Sequence, residues 1–60
     1  MKGCIRWFDA LSGDGQIACE DGSRIFFWSN DSTLAAGQLV SFDIVSDWNW
    51  RQAHNIRKVV

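Results

Sequence analysis

Apolar and polar residues alternate along most of the chain with a period of two, which is typical of half-buried β-strands. Clusters of Gly, Asp, Asn and Ser interrupt the alternation at short intervals, as tight turns require. The pattern predicts five strands, over residues 2–9, 14–19, 24–28, 39–45 and 52–59. Residues 29–37 form the longest connection, with room for one helical turn, and residues 46–51 form a loop. Five short strands without a long helix indicate an all-β fold, a small five-stranded antiparallel barrel.

The length of 60 residues predicts a single domain over 1–60. The chain has no Pro and only two Cys, so neither a disulfide framework nor a zinc site is expected to stabilise it. Hydrophobic residues make up 47%, a normal globular fraction, so we predict an ordered domain. Apolar runs are too short for a membrane span. We therefore expect a cytoplasmic protein without membrane association, in which Cys4 and Cys19 are thiols.

The register of the first hairpin predicts which side chains share a face. If Ile5 faces Ile17, the other predicted cross-strand pairs are Arg6 with Gln16, Trp7 with Gly15 and Phe8 with Asp14. This register places Cys4 and Cys19 on opposite faces, so we do not expect a disulfide between them. In the third strand, alternation turns Ile25 and Phe27 inward, and Phe26 and Trp28 outward.

Aromatic residues are concentrated on the predicted outer face of strands one to three. Phe8, Phe26 and Trp28 stand there with Arg6, and Trp7 lies at the edge. Adjacent exposed aromatics on so small a domain usually mark a binding surface. Nucleobases stack on such rings, with about 1–3 kcal/mol per base. The net charge of −1 means that binding must depend on stacking and on local placement of cations.

Several segments resemble the bacterial cold-shock domain. They are GCIRWF at 3–8, the glycines at 13 and 15 before Ile17, DGSRIFF at 21–27, LAAGQLVSFDI at 34–44 and QAHNI at 52–56. The resemblance covers nearly the whole chain in order. It implies a five-stranded OB-type barrel that binds single-stranded DNA and RNA through two ribonucleoprotein motifs on strands two and three, with no catalytic activity, cofactor or metal.

The resemblance also implies roles for individual residues. Arg6 stands where the family has a basic phosphate contact, Trp7 keeps the stacking Trp, and Phe8 keeps the aromatic beside it. Phe26 keeps the central Phe of the second motif. Trp28 replaces the usual His and enlarges the stacking surface.

The chain departs from the family pattern in the first motif, which reads SGDGQI at 12–17. Asp14 and Gln16 replace two stacking Phe residues, Ser12 replaces a Lys, and Ser29 replaces the final aromatic of the second motif. Asp14 places a negative charge beside the phosphate path. The connection after the third strand is also several residues shorter than usual.

The loop before the last strand offers a replacement surface. Trp48, Trp50 and Arg51 lie there, and loops of this kind border the ligand in OB-folds. Gln16 is suited to a hydrogen bond with a base edge. We therefore predict a non-enzymatic protein that binds single-stranded RNA or DNA, as an RNA chaperone or a modulator of transcription or translation. The predicted binding residues are Arg6, Trp7, Phe8, Gln16, Phe26, Trp28, Trp48, Trp50 and Arg51.

Two alternatives remain open at this point. The aromatic residues can instead serve ordinary packing, with the Trp7 ring covering Gly15 and Trp48 and Trp50 shielding the barrel mouth or pairing two chains. The remodelled surface can also belong to a protein-interaction module or a domain-swapped homodimer, since a short hinge favours exchange between chains.

Overall fold

Five β-strands account for most of the chain in the computed structural model, which describes residues 1–59. The first three strands have the predicted bounds, whereas the last two are longer and meet at a two-residue turn of Trp48 and Asn49. The predicted loop over 46–51 is therefore wrong, and the connection over 29–37 forms turns without a helical turn. The strands are β1 (Lys2–Asp9), β2 (Asp14–Cys19), β3 (Arg24–Trp28), β4 (Leu39–Asp47) and β5 (Trp50–Lys58).

The strands close into a barrel in the order β1-β2-β3-β5-β4, with β4 paired back to β1. This arrangement confirms the predicted five-stranded OB-type barrel. One detail differs, because β3 and β5 run parallel where purely antiparallel pairing was predicted. The connection after β3 carries the chain across the barrel to β1, so β5 returns between β4 and β3 in the direction of β3.

The barrel interior is filled by alternate side chains of all five strands and by Leu34 from the β3–β4 connection. Full burial of a large aliphatic or aromatic side chain contributes about 1.5–3 kcal/mol, so this core is the main source of stability. Cys19 belongs to the core while Cys4 is exposed, and both are free thiols, as predicted. The buried apolar residues are Ile5, Ile17, Cys19, Ile25, Phe27, Leu34, Val40, Phe42 and Ala53.

A β-bulge in β1 changes the register of the first hairpin. Ile5 pairs with Ile17 as predicted, but the next pair is Trp7 with Gln16, followed by Phe8 with Gly15. The predicted pairs of Arg6 with Gln16, of Trp7 with Gly15 and of Phe8 with Asp14 are therefore wrong. The extra residue puts Arg6 and Trp7 both on the exposed side and turns Phe8 toward the core.

Gly15 allows a close approach of an aromatic ring, although not the predicted one. A Cβ at this position would overlap the ring of Phe27. Phe8 in turn stacks on Phe27, with ring centroids 5.8 Å apart and an interplanar angle of 6°. The space above Gly15 is thus occupied by Phe27, and Trp7 is not needed to cover it.

A second irregularity lies in β5 at Asn55, which has a φ of 57°. The β4–β5 register shifts between Ser41 and Asp43 at this point. The Asn55 Nδ2 donates a hydrogen bond to the Asp43 carboxylate at 3.0 Å, and Arg57 lies 3.7 Å from the same carboxylate. The Asn55 hydrogen bond, followed by the charge of Arg57, lowers the pKa of Asp43 below its ordinary value of 3.8.

Substitution of Asn55 tests the bulge. Asn55→Ala should lower the free energy of unfolding by about 1 kcal/mol or more, because a Cβ without a compensating polar group is unfavourable at positive φ. Asn55→Gly should cost less, because glycine adopts this conformation freely. Urea unfolding of the two variants and the parent measures the difference. Equal stability of the Ala and Gly variants would contradict this role of the backbone.

Acidification tests the hydrogen bond itself. The pKa of Asp43 is lower in the folded than in the unfolded chain. The ionised carboxylate therefore stabilises the folded state above pH 3.8, and this stabilisation is lost as the pH falls through the folded pKa. The Gly variant lacks the hydrogen bond, so its stability deficit relative to the parent should shrink toward acid pH. A deficit that stays constant across this range would mean that the Asn55–Asp43 contact contributes nothing.

Candidate nucleic-acid interface

A row of outward side chains crosses the sheet from β1 to β5 and alternates between aromatic rings and amides. Trp7 pairs with Gln16, Gln16 with Phe26, and Phe26 with Gln52. Residues paired across neighbouring strands lie side by side on one face of a sheet, so these four side chains are close neighbours. Trp7 is 42% exposed and Phe26 is 58% exposed. We call Trp7, Gln16, Phe26 and Gln52 the central row.

Trp28 lies on the next row of the same face. It pairs with Asp14, which pairs with Asp9, so the ring shares its row with two carboxylates. The Trp28 ring is 56% exposed, and its Nε1 donates a hydrogen bond to the carbonyl oxygen of Ser12 at 3.1 Å. The outward positions predicted for Phe26 and Trp28 are confirmed. We call the rings of Trp7, Phe26 and Trp28 the aromatic face.

Cations lie on the other side of the central row. Arg24 is exposed and pairs with Ala18, which pairs with Cys4. Arg6 is exposed at the β1 bulge, and its Nη1 donates a hydrogen bond to the Gln16 Oε1 at 3.3 Å. The outer sheet surface is therefore polarised, with arginines at one end and the Asp9–Asp14 pair at the other.

Phe8 does not belong to this surface. It was predicted to stand outward beside Phe26 and Trp28, but it is half-buried and stacks on the core residue Phe27. The bulge exchanges it with Trp7, which the sequence placed at the edge. The prediction of an outward Phe8 is wrong, and Trp7 rather than the predicted Arg6 occupies the position opposite Gln16.

The three binding residues predicted near the β4–β5 turn do not form one surface. Trp50 precedes Gln52 by two residues and shares its face, whereas Trp48 is 96% exposed at the tip of the turn. Arg51 alternates to the other side of β5. The hydrogen bond from the Ser23 hydroxyl is the main cause of a lowered pKa at Asp21, and the charge of Arg51 adds to it, which places Arg51 near the β2–β3 turn.

The surface offers no enclosed site. Residues 1–59 have no concave pocket, and they bring no three potential metal ligands together. Over the same residues, no helix is present that could span a membrane. A ligand of the aromatic face must therefore be accommodated on the open outer surface of the barrel.

Comparison with known proteins identifies the family of this chain. A model of the family described as 'Cold-shock' DNA-binding domain matches residues 1–59. The chain belongs to this family. Nucleic-acid binding, predicted above from the sequence, is thereby confirmed at the level of the family.

Curated relatives match this cold-shock domain over its whole length. The cold shock-like protein CspC of Bacillus cereus is 37% identical over 65 positions, covering 98% of this chain and 100% of the relative. The major cold shock protein of a Streptococcus pyogenes serotype M6 strain is 36% identical over 64 positions, covering 97% and 96%. The cold shock-like protein of Thermotoga maritima is 34% identical over 65 positions, covering 98% of each. An alignment of 65 positions requires at least five gaps in a 60-residue chain, consistent with the shortened connection.

Two residues of the cold-shock domain surface could not be recognised from the sequence. Gln52 opens the predicted last strand, and only the parallel pairing of β3 with β5 brings it beside Phe26. Asp9 joins Asp14 only because the bulge shifts the register by one residue. Both positions depend on pairing between strands, which residue types alone do not specify.

The exchange of Trp7 and Phe8 is testable with two matched variants. Phe8→Ala should lower the free energy of unfolding by about 2 kcal/mol, because it removes a ring stacked on the core. Trp7→Ala should change it by less than about 1 kcal/mol, because the ring is largely outside the core, but should weaken oligonucleotide binding. Urea unfolding and fluorescence titration measure the two effects. A Trp7 variant that loses stability but keeps its affinity would contradict the assignment.

Proposed function

We propose that this cold-shock domain binds single-stranded RNA or DNA on the aromatic face, with successive bases stacked on Trp7, Phe26 and Trp28. The observation that supports the proposal is the presence of three half-exposed rings on one open surface, one on β1 and two on β3, with β2 between them. Stacking contributes about 1–3 kcal/mol per base with little dependence on sequence. The bases of a duplex are already stacked on one another, so the aromatic face favours single strands.

The amides of the central row add hydrogen bonds between the stacking positions. Arginine has only donors, so the Gln16 oxygen must face Arg6 and the Gln16 Nε2 is left to point elsewhere. Within residues 1–59 this Nε2 has no hydrogen-bond partner. We assign it to an acceptor on a base edge, and Gln52 to the same task on the other side of Phe26.

The distribution of charge orients the bound strand. We propose that phosphates lie toward Arg6 and Arg24, because Asp9 and Asp14 repel them from the Trp28 end. Two phosphate contacts make the affinity only weakly dependent on salt. The logarithm of the binding constant should fall with the logarithm of the salt concentration with a slope of about −1.5 for a single strand. Affinity then depends more on stacking than on counterion release, which agrees with a net charge of −1.

The other predicted residues take secondary places in this proposal. Trp50 shares the face of Gln52 and extends the aromatic face toward the β4–β5 turn, where Trp48 is accessible to a longer strand. Phe8 acts through Phe27 by supporting the sheet beneath the rings. Arg51 is assigned to the β2–β3 turn beside Asp21.

In the cell, we propose that this domain lies in the cytoplasm, binds single-stranded nucleic acid there and catalyses no reaction. A weak, sequence-tolerant binder of single strands keeps RNA from forming stable secondary structure. This property suits an RNA chaperone or a modulator of transcription or translation.

Titration of Trp fluorescence with oligo-dT and with a short unstructured RNA tests the proposal. We expect quenching at micromolar protein concentration in low salt. Phe26→Ala should weaken binding about tenfold, the loss of one stacking contact. Leu39→Ala is the matched control, because Leu39 is a similarly exposed apolar residue on β4, which does not pair with β3, and should change affinity by less than about twofold.

The titration has clear negative outcomes. Absence of quenching at tens of micromolar protein would overturn the proposal, and equal losses for the Phe26 and Leu39 variants would assign binding to another surface. Sedimentation of the same samples checks the domain-swapped homodimer, which stays a prediction. A stable dimer whose mass, rather than oligonucleotide affinity, responds to the Trp substitutions would favour the protein-interaction alternative.

Asp14→Asn tests the proposed orientation of the strand. Removal of this charge beside Trp28 should tighten binding about two- to fivefold in low salt, and the gain should fade as salt screens the charge. Asp31→Asn makes the same change in net charge in the β3–β4 connection, beside Lys58 rather than beside Arg6 and Arg24, and should have a smaller effect. A gain of equal size in both variants would show that only net charge matters.

A further inference from the structure

The Trp28 indole is fixed to the β1–β2 turn by contacts within the domain. Its Nε1 donates to the Ser12 carbonyl oxygen at 3.1 Å, and its edge lies directly over Gly13. A Cβ on Gly13 would lie 2.6 Å from the Trp28 Nε1 and 2.9 Å from the Ser29 carbonyl oxygen, closer than real Cβ contacts allow, and in tight contact with the Trp28 Cδ1 at 3.1 Å. The ring is nonetheless 56% exposed, so part of it stays open to solvent.

The backbone around Gly13 is itself held in place. The Gly13 N–H donates to the Asp9 carbonyl oxygen at 2.7 Å, and its carbonyl oxygen accepts from the Ser29 N–H at 2.9 Å. Gly13 has a φ of +84°, a conformation that side chains disfavour. The glycine therefore serves both the turn and the close approach of the indole.

This arrangement decides what Trp28 offers to a ligand. Indole has a single polar group, a donor, and that donor is already used by Ser12. Trp28 consequently has no hydrogen bond to give to a base edge and contributes through its ring face. A side chain that is ordered before binding also loses less entropy when the ligand arrives.

We propose that Gly13 is a positioning residue for nucleic-acid binding: together with the Ser12 carbonyl it holds the Trp28 indole in its stacking position before the ligand binds. Gly13 itself touches no ligand. The inference deepens the proposed function and rests on it. It assigns to Trp28 a preformed, sequence-tolerant stacking contact, and it leaves hydrogen-bond selectivity to the amides of the central row.

Two glycine variants test the proposal, because both glycines have a positive φ but only one lies against Trp28. Gly22 has a φ of +89° and open space around its Cβ position, so Gly22→Ala imposes a similar conformational cost without contacting Trp28. We expect Gly13→Ala to weaken oligo-dT binding about fivefold or more and Gly22→Ala to change it by less than about twofold. Trp28→Ala should weaken binding much less in the Gly13→Ala background than in the parent, and equally in the Gly22→Ala background and the parent.

A second comparison does not depend on folding of the Gly13 variant. Trp28→Phe and Trp7→Phe both shrink a stacking ring, but only the first removes an anchoring N–H, since the Trp7 indole N–H has no hydrogen-bond partner within residues 1–59. Trp28→Phe should therefore cost more affinity. In the unmodified protein, the Trp28 indole N–H should exchange with solvent more slowly than that of Trp48, which is 96% exposed.

The outcomes separate this inference from the function on which it rests. Absence of oligonucleotide binding by the unmodified protein overturns both. Normal binding with equal affinities of the Gly13 and Gly22 variants overturns only the inference, as do equal losses for the two Phe variants. Exchange of the Trp28 indole N–H as fast as that of Trp48 would show that the ring is not anchored.

Discussion

The β-bulge between Ile5 and Trp7 is the feature on which the surface of this cold-shock domain depends. One extra residue on β1 leaves Ile5 in the core, keeps Arg6 and Trp7 outside, and returns Phe8 to the interior side. Without it, Phe8 would face solvent and Trp7 would compete with Phe27 for the space above Gly15. The same shift aligns Asp9 with Asp14 and thereby creates the acidic end of the outer sheet surface.

The aromatic face keeps exposed rings on the sheet although its first motif has none. Asp14 and Gln16 supply no rings on β2, and the exposed rings come instead from β1 and β3 on either side. Gln16 then lies between Trp7 and Phe26 and is held by Arg6. The result is a surface of separated rings and amides with few cations.

Much of this arrangement was predictable from local pattern. Alternation placed β1, β2 and β3 at their observed bounds and turned Phe26 and Trp28 outward, because two-residue periodicity is a property of each strand by itself. The prediction failed where the structure depends on which strands pair with each other. The strands β4 and β5 continue through residues 46–51 because each supplies the other's hydrogen bonds up to Trp48 and Asn49, although no apolar alternation marks that stretch.

The sequence by itself determined the five-stranded fold, the core of alternating apolar residues and the family of this protein, since these depend on residue type and order along the chain. Only the tertiary structure decided that Trp7 rather than Phe8 faces the solvent, that Gln52 lies beside Phe26, and that the Trp28 indole rests on Gly13. The physical reason is that a bulge, a parallel pairing and a ring-to-backbone contact are set by the fit between strands distant in sequence, which period-two alternation does not encode.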